Sequence, residues 1–129
     1  MKRPDEFNYQ AARDFLEQKE ARKKAGNRDL FLKAKTDCEK IIQMLITEYH
    51  PLRIYQWGSM LKKEDFSAIS DIDIAVEGVR SAEDFFKMFG EAQKMTDFPL
   101  DLVEMEKVEP LHAESIRKNG KVVYERKVQ

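Results

Sequence analysis

The sequence predicts an α+β fold, in which helices pack on a small β-sheet. Three runs of largely apolar residues, at Arg53–Trp57, Asp71–Val76 and Leu100–Met105, have the length and period of strands. Before and between them, apolar residues recur three and four positions apart, as they do on the buried face of a helix. With 129 residues, the chain is long enough for one domain with one hydrophobic core.

Two helices are predicted ahead of the first strand. The first, Asn8–Lys24, has a narrow apolar stripe and a charged outer face. Gly26 is expected to stop it, and Asn27 to cap the next helix. That second helix must end by His50, because Pro51 disfavours helical geometry in the residue before it. Its longer apolar stripe comprises Leu30, Phe31, Ala34, Cys38, Ile41, Ile42, Leu45, Ile46 and Tyr49.

We therefore expect an N-terminal helical extension, residues 1–28, ahead of a main domain, residues 29–129. The remaining predicted elements are a short helix from Ser59, a polar loop at Lys63–Ile69, a helix from Ser81 to about Met95, a helix at Leu111–Lys118 and an edge strand at Val122–Tyr124.

The composition excludes several classes of protein. Lys and Arg total 23 against 24 Asp and Glu, so the net charge is −1 and the basic surface typical of nucleic-acid binders is not expected. Cys38 is the only cysteine, which excludes a disulfide framework and a cysteine zinc cluster. No apolar run approaches the roughly 20 residues that span a bilayer. The first ten residues lack the apolar core of a signal peptide, so the expected location is the cytoplasm.

Two aspartates on the second predicted strand indicate a metal site. Asp71 and Asp73 are two positions apart, so they point to the same face, while the alternating apolar residues of Ile72–Val76 point to the other. The repulsion between the two carboxylates is smallest when a cation lies between them. If Asp101 on the third strand shares their face, three oxygen ligands converge, and this donor set suits Mg²⁺.

A phosphate site is predicted at the end of the first strand. Gly58-Ser59 lies where a strand turns into a helix, and free backbone N–H groups at a helix start attract anions. Ser59 adds a hydroxyl donor, and Lys62 and Lys63 follow one turn later with charges that can neutralise phosphate. A phosphate site beside a carboxylate cluster predicts a nucleoside triphosphate bound with Mg²⁺.

At these positions the chain resembles the nucleotidyltransferase superfamily typified by DNA polymerase β. It is most similar to the minimal nucleotidyltransferases found beside HEPN-domain toxins in prokaryotes. The shared pattern is Gly58-Ser59, then Asp71-Ile72-Asp73 preceded by Ser70, then Asp101, with a similar closing segment at Ile116–Tyr124. The resemblance extends over Leu30–Glu125, and it implies the fold of these enzymes, with a small mixed β-sheet.

The resemblance also implies roles for single residues. Asp71, Asp73 and Asp101 would be catalytic and would bind two Mg²⁺ ions. The nucleotide-binding residues would be Gly58, Ser59, Lys62 and Ser70. The implied reaction transfers AMP from ATP to an acceptor hydroxyl on a partner protein, a HEPN-type toxin, so that this chain would act as the antitoxin.

Three departures from the family pattern leave alternatives open. Eleven residues, Met60–Ser70, separate Ser59 from Asp71, one more than the family spacing, and Lys62-Lys63 replaces an Arg-Gly pair. The first helix has no counterpart in the smallest members. One alternative is a non-catalytic antitoxin with a vestigial nucleotide site. Another is an antibiotic-modifying nucleotidyltransferase, which would need a homo-oligomer to complete its acceptor pocket.

Other chemically capable residues are interpreted as structural. Cys38 belongs to the apolar stripe of its helix, and His50 and His112 have no partner at metal-binding spacing. Trp57 is expected to pack beneath the turn at Gly58. The aspartate pair also has a structural interpretation, as a charge on an edge strand that discourages aggregation.

Overall fold

The protein folds into a four-stranded β-sheet with helices on both faces. The computed structural model describes residues 8–62, 66–67 and 70–127. The predicted α+β class is confirmed. In chain order the elements are α1 (Tyr9–Tyr49), β1 (Arg53–Trp57), a 3-10 helix (Gly58–Leu61), β2 (Ile72–Glu77), α2 (Ala82–Gln93), β3 (Leu100–Glu104), α3 (Pro110–Asn119) and β4 (Lys121–Glu125).

The sheet is mixed, as the resemblance implies. Its strand order is β3-β2-β1-β4, so the predicted edge position of the last strand is confirmed. Strands β2 and β3 are parallel and are joined through α2, whereas β1 is antiparallel to both β2 and β4. Because β1 runs opposite to β2, the end of β1 lies beside the start of β2.

The two faces of the sheet have separate apolar clusters. The larger cluster lies under α1 and α2, where Ile54, Ile72, Ile74 and Val76 from the sheet are fully buried. Burying each such side chain contributes about 1.5–3 kcal/mol. The smaller cluster lies under α3 and contains Tyr55, Ala75, Met105, Ala113 and Ile116. The strand face that carries the aspartates is therefore covered by α3 over part of its length.

The predicted break between two N-terminal helices is wrong, because α1 is a single helix of 41 residues. Gly26 lies within it and does not adopt the left-handed conformation of a helix-ending glycine; that conformation occurs at His50, which caps α1 as predicted. A glycine in a helix costs only about 1 kcal/mol relative to alanine. The packed second half of α1 provides the nucleus, and each further residue extends the helix with one more hydrogen bond.

The first half of α1 forms an arm, defined here as Tyr9–Arg28. None of its side chains is buried, and Phe15 and Leu16 are more than half exposed. Further along, the Gln56 side chain donates a hydrogen bond to Cys38 at 3.4 Å, so α1 near Cys38 lies level with the end of β1. Because β1 runs back along α1, the arm projects past the end of the sheet at which β1 finishes.

Despite the length of α1, no helix among the described residues has a stretch apolar enough to cross a membrane.

We expect residues 29–129 to fold without the arm. Of the residues removed by deleting 1–28, the structure describes 8–28, and none of these has a buried side chain. The melting temperature, measured by circular dichroism, should change by less than about 5 °C, which corresponds to about 1 kcal/mol. As a control, starting the chain at Lys40 also removes Ala34 and Cys38 from the core and should abolish cooperative unfolding. A shorter chain that loses cooperativity when only residues 1–28 are absent would contradict the predicted boundary.

Candidate active site

The turn at Gly58 and the predicted aspartates lie at the same end of the sheet. The register of β1 and β2 pairs Trp57 with Asp73, so Gly58 follows directly beside that carboxylate. The register of β2 and β3 pairs Asp73 with Asp101. Adjacent strands are about 4.8 Å apart, so these two aspartates are neighbours on the face that α3 partly covers. Asp71 precedes β2 and is exposed.

The electrostatics of Asp73 indicate that all three aspartates interact. Its pKa is raised from 3.8 to about 7, first by burial and then by the negative charges of Asp101 and Asp71. A carboxyl group with this pKa is protonated in part at neutral pH in the free protein. A bound cation would remove both causes of the shift, since it neutralises the repulsion and replaces the lost hydration.

The backbone of Gly58 lies so close to the Asp73 carboxylate that there is no room for a side chain at position 58. Its φ is +76°, in the left-handed region that disfavours other residues, and a Cβ atom there would overlap the carboxylate of Asp73. The backbone of the turn therefore packs directly on the carboxylate. A phosphate bound by this turn would lie within reach of any cation held by Asp73.

The other predicted nucleotide-binding residues that the structure describes lie in and after this turn. The backbone N–H of Lys62 donates to the Ser59 carbonyl at 3.3 Å and closes the 3-10 helix, while the Lys62 side chain is exposed. Lys63 lies outside the described residues. The Ser70 hydroxyl accepts a hydrogen bond at 3.0 Å from the backbone N–H of Ser67, so it shapes the loop ahead of Asp71.

The donor set fits Mg²⁺ by its chemistry but is not a complete metal cage. The aspartate oxygens are hard ligands that share one end of the sheet, and the pKa of Asp73 is raised first by burial and then by the charges of Asp101 and Asp71. Among the described residues, however, no three His, Cys, Asp or Glu side chains are close enough together to hold an ion by themselves. Mg²⁺ in nucleotide sites is commonly bound by one or two carboxylates with substrate phosphates and water, and this arrangement suits that mode.

An aromatic pair beside the aspartates was not predicted from the sequence. The rings of Trp57 and His112 meet edge to face, with centroids 5.9 Å apart. Trp57 faces the α3 side of the sheet, as Asp73 does, and is half-buried, whereas His112 is exposed. His112 was interpreted as structural because it has no partner at metal-binding spacing in the sequence. Only the packing of α3 on β1 brings it to Trp57, and no local pattern indicates that contact.

Cys38 lies on the opposite face of the sheet and is structural, as predicted. It is fully buried, and burial together with nearby acidic residues raises the pKa of its thiol to about 12. A groove of about 680 Å³ borders it, between α1 and the β1–β4 edge, and includes Gln56 and Val122. Because this groove is on the α1 side, the sheet separates it from Asp73 and Asp101.

Comparison with known proteins identifies the family. The sequence model of the family "Polymerase beta, Nucleotidyltransferase" matches residues 39–129. The chain therefore belongs to the polymerase β nucleotidyltransferase family, and the resemblance seen in the sequence is confirmed. No curated protein is significantly similar to the chain in sequence.

Solved structures with the same fold include several toxin–antitoxin complexes. A toxin–antitoxin crystallised with AMP-PNP is 23% identical, with a TM-score of 0.56 over 68% of this chain and 73% of the other. The toxin–antitoxin MntA-HepT is 21% identical, with a TM-score of 0.53 over 71% and 73%. A complex of tri-AMPylated Shewanella oneidensis HEPN toxin with MNT antitoxin is 22% identical, with a TM-score of 0.52 over 72% and 73%.

Two glycine substitutions test the contact at the turn. Gly58→Ala places a methyl group on the Asp73 carboxylate at a positive φ, and we expect it to destabilise the fold by about 1–3 kcal/mol. Gly26→Ala is the matched control, since nothing lies within 4 Å of the added Cβ in α1. It should stabilise the fold by up to about 1 kcal/mol. Urea unfolding measures both, and equal effects of the two changes would contradict the proposed contact.

The raised pKa of Asp73 predicts an unusual dependence of stability on pH. From about pH 4 to about pH 7 the folded chain holds a proton that the unfolded chain has released, so the free energy of unfolding falls as pH rises and levels off above pH 7. Asp73→Asn cannot titrate. It should be more stable than the parent chain at pH 8 by at least about 1 kcal/mol, with a difference that shrinks towards pH 4.

Urea unfolding in EDTA at a series of pH values makes this measurement. Asp97→Asn is the control, since the Asp97 side chain is 95% exposed. An identical pH dependence in the parent chain and in Asp73→Asn would show that Asp73 does not carry the shift.

Proposed function

We propose that this chain transfers AMP from ATP, with Mg²⁺, to a hydroxyl group on a partner protein. In this proposal the partner is a HEPN-type toxin and the chain is its antitoxin. The observation that carries the proposal is the paired register that sets Gly58 against Asp73 and Asp73 beside Asp101. Membership of the nucleotidyltransferase family supports the class of reaction.

The triphosphate of ATP would bind at the turn after β1. Backbone N–H groups of the turn and the Ser59 hydroxyl are the available donors for the β- and γ-phosphates. The exposed Lys62 side chain can add a positive charge near them. Because Gly58 has no side chain, the phosphates can approach the backbone to the distance that hydrogen bonds need.

Asp71, Asp73 and Asp101 would hold the magnesium. Bound there, Mg²⁺ would supply positive charge to the phosphate oxygens as negative charge develops on them. The raised pKa of Asp73 implies that loading at neutral pH releases a proton from this carboxyl group in part of the molecules.

The acceptor hydroxyl would attack the α-phosphorus of ATP in line with the leaving group. A new bond forms between the acceptor oxygen and the α-phosphorus, the bond from that phosphorus to the bridging oxygen breaks, and pyrophosphate leaves. Asp101 is exposed on the edge strand β3, so its carboxylate is placed to accept the proton of the hydroxyl.

The solved relatives support the choice of acceptor. One of them contains AMPylated HEPN toxin with MNT antitoxin, and another contains AMP-PNP. These two structures support ATP as the nucleotide donor and a protein as the acceptor in the proposed reaction.

One observation favours a second function, neutralisation of the partner by contact alone. Lys62-Lys63 stands where the family often has an Arg-Gly pair, and Lys lacks the bidentate fork with which Arg binds phosphate, so this difference agrees with a nucleotide site that has lost its activity. In that case the chain would bind the toxin without modifying it.

Label transfer distinguishes the two functions. The chain is incubated with ATP labelled on the α-phosphate, Mg²⁺ and the product of the neighbouring gene. We expect AMP on the partner, and Asp71→Asn with Asp73→Asn should lower the rate by about a hundredfold or more, since several kcal/mol of charge stabilisation are lost. Asp97→Asn, an equal change at an exposed site, should have no effect.

Mass spectrometry of the partner gives the number of AMP groups independently of the label. A double variant that no longer transfers AMP but still protects cells from the partner would favour the contact mechanism. Undiminished transfer by the double variant would place the chemistry elsewhere in the chain.

A further inference from the structure

We propose that Trp57 and His112 form the platform on which the base of the nucleotide stacks, with His112 in contact with the base and Trp57 holding its ring. This inference rests on the proposed function and adds a site for the adenine ring. It assigns a role to two residues that the chemistry of AMP transfer does not itself require.

The position of the pair relative to the strands is the first argument. Trp57 immediately precedes the phosphate turn and is the direct neighbour of Asp73 across the sheet. Asp101 lies on the other side of Asp73, on β3. The order across this face is therefore Trp57, Asp73, Asp101. A nucleotide with its triphosphate at Gly58 lies on the β1 side, and an acceptor that meets Asp101 lies on the β3 side.

The rigidity of the pair is the second argument. His112 is on the first turn of α3, and the next residue, Ala113, is buried with Ile116 against Tyr55 and Ala75. The packed helix therefore positions the His112 backbone, and the imidazole contacts the Trp57 ring edge to face, with centroids 5.9 Å apart. An aromatic ring that is exposed yet fixed can stack on a base without losing much conformational freedom.

The chemistry of the rings is the third argument. A flat aromatic surface next to a phosphate site is the common means of binding a nucleobase, because every base has a π face. His112 has a second free surface towards solvent, since the residue is exposed. Trp57 and His112 would hold a ring of the acceptor less well, because strand β2, which carries Asp73, lies between Trp57 and Asp101.

The test compares ATP with a ligand that has no base. Isothermal titration measures the binding of Mg²⁺-ATP and of Mg²⁺-tripolyphosphate to the full chain. We expect His112→Ala to weaken ATP about tenfold and to leave tripolyphosphate unchanged. His112→Phe should bind ATP as the parent does, because it keeps a ring, whereas His112→Asn should behave as His112→Ala. Leu111→Ala, a change at the adjacent exposed residue, is the matched control.

Trp57 provides a second measurement, because it is the only tryptophan in the chain. Its fluorescence should change when Mg²⁺-ATP binds and should change much less with Mg²⁺-tripolyphosphate. Circular dichroism melting of each variant confirms that it is folded, and the exposed position of His112 makes the substitutions compatible with the fold.

The outcomes separate this inference from the proposed function. If His112→Ala weakens both ligands equally, His112 contacts phosphate and the base platform is wrong. If His112→Asn retains affinity, a hydrogen bond and not stacking is responsible, which also overturns the inference. If the parent chain binds ATP and no variant changes the affinity, the platform is wrong and the proposed function stands. A parent chain that binds neither ligand refutes both.

Discussion

The antiparallel pairing of β1 with β2 is the contact on which the candidate site depends. It fixes Trp57 opposite Asp73, and the chain then turns at Gly58 with its backbone against the carboxylate. A shift of one residue in this register would turn Asp73 towards the α1 face and move Ile72 or Ile74 out of the core. The buried isoleucines of β2 therefore hold Asp73 on the α3 face, because a shift of one residue would expose them.

The same arrangement places an unfavourable charge at one end of the sheet. Asp73 is partly buried beside two other aspartates, and burial followed by their negative charges raises its pKa, which means that the charged form is disfavoured in the free protein. The rest of the fold must offset that cost, and it does so with apolar packing on both faces of the sheet. Functional sites commonly retain such local instability, because a ligand that relieves it gains binding free energy.

Local patterns in the sequence predicted the parts of the site that depend on local geometry. The alternation at Asp71 and Asp73 and the Gly58-Ser59 turn follow from the period of a strand and the freedom of glycine. The position of Asp101 beside Asp73 depends on the register of β2 and β3, which no single segment determines. The contact of His112 with Trp57 depends on how α3 packs on the sheet, so no local sequence motif indicates it.

The continuity of α1 was mispredicted for a related reason. Gly26 and Asn27 are residue types that often stand at a helix boundary, but this preference is local and does not include the packing of the rest of the helix. A helix already nucleated and packed at Ala34 and Cys38 gains a hydrogen bond for each residue added, and this outweighs one glycine. The family match begins at residue 39, so the arm and the first packed turns of α1 lie outside the segment that the family model covers.

The layers of the fold restrict the direction from which an acceptor can reach the site. Helix α3, with His112 against Trp57, bounds the β1 side of the aspartates. On the opposite layer, the arm extends past the same end of the sheet. Strand β3 is at the edge of the sheet, with Asp101 exposed on it, so this edge is left uncovered by α3 and by the arm. In the proposed reaction, a macromolecular acceptor would meet Asp101 from the β3 edge while the nucleotide occupies the β1 side, so the two substrates would not compete for the same space.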